Sequence, residues 1–143
     1  MDIDKLNDIE TSIAEVRSLF DHDVQVAVQK FLEYFEFTYV SVPFSYELVT
    51  AHELYDDGIL RATLMFSIPK ESMSKEELKK FVCDVHYTLA GNEVYYEPRY
   101  IEVDSTDNRF IDQDTSIFAF DFKWHSKSYE FLLNERRTIY ESD

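Results

Sequence analysis

Near Val40 the spacing of apolar residues changes from three-and-four to two, and that change restricts what the chain can fold into. Before it, Leu6, Ile9, Ile13, Val16 and Phe20 form the stripe of an amphipathic helix. Asp21-His22-Asp23 offers a fresh N-cap, and Val24, Ala27, Val28, Phe31 and Phe35 mark a second helical face. After it, Val40, Val42, Phe44, Tyr46 and Leu48 alternate with mostly polar residues, as do Leu60, Ala62, Leu64, Phe66 and Ile68. Asp57-Gly58 between the two runs is a turn signal. Pro43 cannot donate to a ladder, which places the first strand at a sheet edge or on a bulge.

The second half repeats the alternation of periods. Ser74 and Glu77 have the spacing of a capping box, followed by Leu78, Phe81, Val82, Val85 and Leu89 on one helical face. Gly91-Asn92 closes that helix. Val94 to Val103 reads as a strand interrupted at Pro98, and Phe118, Phe120, Phe122 and Trp124 as a strand with an aromatic face. Ser126 or Ser128 can cap a last helix. The expected order is α-α-β-β-α-β-β-α: an α+β domain with a mainly antiparallel sheet of about four strands and helices on one face. One domain spans 1–143, with an N-terminal helical part at 1–36 and a ββαββα part at 37–143.

The net charge of −15 on 143 residues bounds the function. It repels nucleic acid and anionic membrane and attracts basic surfaces, so neither direct nucleic-acid binding nor membrane binding is expected. No apolar run approaches a membrane span, and the start of the chain lacks a basic-then-apolar signal pattern. A single cysteine allows no internal disulfide. A cytoplasmic protein is expected.

The residues of common catalytic and cofactor sites are sparse. Two glycines cannot build a phosphate loop or a dinucleotide fingerprint. His22, His52, His86 and His125 are scattered, without metal-ligand spacing, and read as surface or strand-end residues. Cys83 lies three residues before His86 and reads as a small core or boundary residue. No metal, cofactor or catalytic residue is expected, and an enzyme of unknown class is the weakest alternative.

The acids give the better lead. Glu93 to Asp121 holds eight acids against Arg99 and Arg109, and Asp104 to Asp114 alone holds four aspartates in eleven residues. Phe31 to Leu60 holds six acids and no Lys or Arg, with Tyr34, Tyr39, Tyr46 and Tyr55 among them. Calcium is poorly served, because the aspartates lack EF-hand order and a turning glycine. Carboxylates two apart on a strand share a face at roughly 6.5–7 Å, broadly the spacing of successive phosphates. Glu102 and Asp104 have that separation, as do Asp112 and Asp114. Glu97, Glu102, Asp104, Asp107, Asp112 and Asp114 are therefore candidate partner-binding residues, together with Glu53, Tyr55, Asp56 and Asp57.

In composition the chain resembles phage-encoded inhibitors that imitate nucleic acid. That resemblance implies a non-catalytic acidic binder whose partner is a basic, nucleic-acid-binding protein. In element order it resembles type III secretion chaperones, which implies instead a homodimeric chaperone or adaptor holding a partner chain along apolar grooves.

Overall fold

A computed structural model of the chain describes residues 2–52, 57–90, 102–105, 109–110 and 115–142. Helix α1 spans Ile3–Thr38, about 54 Å at the usual rise per residue. The Asp2 carboxylate caps it by accepting from Lys5 N at 3.0 Å. Two helices were expected here and one forms. The two apolar stripes are in phase, because Phe20 and Val24 are four residues apart, and both are buried with Ile9, Ile13, Phe31 and Phe35. Asp21-His22-Asp23 contains no glycine or proline to break the turn. A cap residue acts only where the backbone leaves the helix, and burial of one continuous face keeps it in.

The helix also runs past the expected boundary at residue 36 and ends at Tyr39, whose N–H returns to Phe35 O at 2.8 Å. Strand β1 is Ser45–Thr50, so Val40 and Val42 belong to the turn and not to the first strand. Pro43 precedes β1, which does lie at a sheet edge. Strand β2 is Ile59–Pro69, a 3-10 turn follows at Lys70–Ser72, and helix α2 is Lys75–Ala90. The capping box forms: Glu77 N donates to Ser74 Oγ and Ser74 N to Glu77 Oε1, each at 3.2 Å. Strands β3 (Glu102–Ser105), β4 (Arg109–Phe110) and β5 (Thr115–His125) precede helix α3 (Lys127–Glu141). Ser126 Oγ caps α3, accepting from Tyr129 N at 3.2 Å.

The observed order is thus α-β-β-α-β-β-β-α, in an α+β fold with an antiparallel sheet. The sheet runs β1-β2-β5-β3, with β4 also on β5. All of β2 pairs with β5, from Ile59 opposite His125 to Pro69 opposite Thr115. On the far side of β5, Ser105 stands opposite Phe120 and Arg109 opposite Ile117.

The sheet's inner face is set by alternation. Leu60, Ala62, Leu64, Phe66 and Ile68 of β2 and Phe120 and Phe122 of β5 are buried, while Arg61, Thr63, Met65, Ser67, Ala119, Asp121 and Lys123 are part-exposed. Phe66 is the hub: its ring centroid lies 5.7 Å from Phe31, 4.9 Å from Phe35, 4.8 Å from Phe44 and 5.4 Å from Phe81. The C-terminal half of α1 and helix α2 therefore cover the same face. The N-terminal half of α1 instead packs on α3, antiparallel. Arg17 Nε donates to Tyr129 Oη at 3.0 Å, and near the other end Lys5 Nζ sits 3.7 Å from Glu135 Oε2. No helix of the described residues is long and apolar enough to cross a membrane.

Candidate partner-binding surface

Of the candidate residues singled out in the sequence, Asp57, Glu102 and Asp104 fall on described residues. Glu53, Tyr55, Asp56, Glu97, Asp107, Asp112 and Asp114 lie outside them. Asp57 sits at the entry to β2 and is committed to the fold. Arg61 Nη2 donates to its Oδ2 at 2.7 Å, Arg61 Nη1 to its Oδ1 at 3.0 Å, and Ile59 N to its Oδ1 at 3.2 Å. The Arg61 hydrogen bonds hold its carboxyl below the usual carboxylate range. As a free negative charge for a partner, Asp57 is discounted by its own guanidinium.

Glu102 and Asp104 belong to β3, so Asp104 is a ladder position and not part of a loop. Glu102 stands opposite Lys123 and Asp104 opposite Asp121. Thr63 Oγ1 donates to Asp121 Oδ1 at 2.8 Å. The two-residue spacing of Glu102 and Asp104 is thus present on one strand.

The structure also exposes groups that were not singled out. Glu33 and Glu36 near the end of α1 and Glu47 on β1 are exposed, all within the window that has no Lys or Arg. Beside them stand large exposed apolar residues: Phe37 (84%), Val40 (80%) and, on β1, Tyr46 (49%) and Val49 (41%). The period change made Val40 look like a strand residue, and helical spacing alone did not mark Phe37 as pointing outward. Placing α1 against both the sheet and α2 does. Tyr39 Oη donates to Asp84 Oδ2 of α2 at 2.8 Å. Burial and this hydrogen bond push the Tyr39 hydroxyl well above the ordinary tyrosine range.

Two smaller expectations are corrected. Cys83 is exposed on α2 and not at the core boundary. His52 is not a surface residue: its side chain is 9% exposed, its Nε2 lies 2.6 Å from Asp21 Oδ1, and its ring meets Phe20 edge-on at 5.8 Å. Its Nδ1 is buried without a hydrogen-bond partner among the described residues. This pair ties the β1–β2 connection to mid-α1 and explains why Asp21 serves as a tertiary ligand where a cap was expected. No three described His, Cys, Asp or Glu side chains converge as a metal site.

No family model matches the chain, and no curated protein is significantly similar to it.

Proposed function

We propose that the chain is a non-catalytic acidic binding protein whose partner is a basic, nucleic-acid-handling protein, and that it occupies the partner's nucleic-acid site. The observation that carries this reading is the distribution of the −15 net charge: eight acids against two arginines from Glu93 to Asp121, and six acids without a base from Phe31 to Leu60. Such fields steer a cationic partner and give specificity through complementary potential. Exposed tyrosine beside the acids, as at Tyr46, adds contact area at low entropy cost.

The test is capture of partners by the tagged protein, washed at low and at high salt, with DNA and RNA as competitors. A basic partner that is lost at high salt and displaced by nucleic acid is the expected result. Lysine at Asp104, Asp107, Asp112 and Asp114 together should abolish that capture with the melting temperature unchanged. Full binding by this variant removes that stretch from the surface.

Exposed Phe37 and Val40 favour a second reading, an adaptor that holds a partner through apolar contact. That reading requires binding which survives high salt and is lost in Phe37→Ser.

A further inference from the structure

The acid-rich, base-free window contains an edge strand, β1, with no described strand on its outer side. Strand β1 pairs with β2 in an unbroken register from Ser45 opposite Ser67 to Thr50 opposite Ala62. Ala51 N donates to Arg61 O at 3.4 Å and continues that register. In an antiparallel ladder, hydrogen-bonded and non-bonded pairs alternate. Ser45, Glu47, Val49 and Ala51 therefore turn their backbone groups towards β2. Tyr46, Leu48 and Thr50 turn theirs outward, and among the described residues no strand meets them.

Proteins commonly blunt such an edge with lysine, proline or a bulge. Ser45–Thr50 contains none of these. The opposite edge of the sheet carries the register shift between β3 and β4. The two edges thus differ in register. Glu47 is exposed on β1 itself. Tyr39 lies on the α2 side of α1, where it bonds Asp84.

Resting on the basic-partner reading, the geometry points to β1 as the docking edge for an extended segment of that partner, one that alternates Lys or Arg with apolar residues. The segment adds to the sheet as a further antiparallel strand. Its backbone pairs with the outward groups of Tyr46, Leu48 and Thr50, its apolar residues lie beside Tyr46 and Leu48, and its cations, on the opposite face, meet Glu47. A second copy of the chain would offer the same backbone groups but bring another −15 of charge to the contact. Charge complementarity selects the basic segment.

The test uses the full chain and three short labelled peptides: alternating Lys-Val, alternating Glu-Val, and alternating Lys-Pro, which keeps the charge but lacks alternate N–H donors. Lys-Val should bind at least ten-fold tighter than the other two, and should slow amide exchange at Tyr46, Leu48 and Thr50. Thr50→Pro, which removes an outward donor and no β1–β2 bond, should weaken Lys-Val at least ten-fold. Exchange in the unaltered chain decides the matter should that variant unfold. Equal binding of Lys-Val and Lys-Pro, with no added protection at those three amides, overturns the docking edge and leaves the basic-partner reading standing. No preference of either lysine peptide over Glu-Val overturns both. Protection of the three amides without peptide, rising with protein concentration alongside a dimer mass, overturns the inference in favour of a second copy.

Discussion

Tyr39 and Asp84 join the end of α1 to α2 through a 2.8 Å hydrogen bond, with the Tyr39 ring also stacked on Phe35 at 5.0 Å. The phenol donates, so the bond exists only while Tyr39 is protonated. Burial and the Asp84 carboxylate raise its pKa in the folded state. A raised folded value means that the contribution is complete below the unfolded tyrosine value of about 10 and is lost as pH rises through the folded one. Tyr39→Phe should cost about 1–2 kcal/mol at neutral pH by urea denaturation. The stability of the unaltered chain should fall from about pH 10 upward more steeply than that of the variant.

Gly58 has φ +78°, and a Cβ there would lie 2.6 Å from Glu130 Cβ. Its carbonyl accepts from Ser126 N at 3.2 Å, fixing the start of β2 against the start of α3. Gly58→Ala meets both a left-handed backbone and a side chain close to its own main chain. A loss of about 1–3 kcal/mol is expected, read as a lower urea midpoint with an unchanged slope.

The turn at Gly58, the Ser74–Glu77 box and the Ser126 cap were legible because each depends on residues within a few positions of one another. The inner faces of β2 and β5 were legible because a period of two sorts side chains without reference to neighbours. The Asp21 region was not legible as helix interior. An aspartate before an apolar face caps a helix or sits within one, and the choice turns on His52, thirty-one residues later. The start of β1 failed for a related reason: Val40 and Val42 fit the strand period, but the turn after α1 claims them. The open edge of β1 is a property of strand order, which no window of sequence contains.

Phe66 and Phe120 are fully buried on neighbouring strands, two positions apart in the register: Leu64 opposes Phe120 and Phe66 opposes Phe118. Phe66 touches four other rings drawn from α1, the β1 approach and α2. Phe66→Ala and Phe120→Ala should each cost about 3–5 kcal/mol in urea denaturation. The loss at Phe66 should be the larger, because its removal leaves four aromatic neighbours without a shared partner. Equal melting temperatures for Phe120→Ala and the unaltered chain would mean that the aromatic alternation of β5 faces outward and is itself a binding surface.

Asp57 separates charge that serves the fold from charge that serves a partner. Its carboxylate is held below the ordinary range first by the Arg61 hydrogen bonds. A depressed folded value contributes stability above the unfolded carboxylate value of about 3.9 and loses it as pH falls through the folded one. The pair is partly exposed, so Asp57→Asn should cost no more than about 1 kcal/mol at neutral pH, and the difference from the unaltered chain should vanish in strong acid. Because Arg61 already offsets this charge, Asp57→Asn should leave affinity for a basic peptide within two-fold, whereas Glu47→Lys should reduce it ten-fold or more. The comparison is made by titrating both variants with the same lysine-rich peptide at low salt. A larger loss for Asp57→Asn than for Glu47→Lys would move the partner from the β1 edge to the turn that leads into β2.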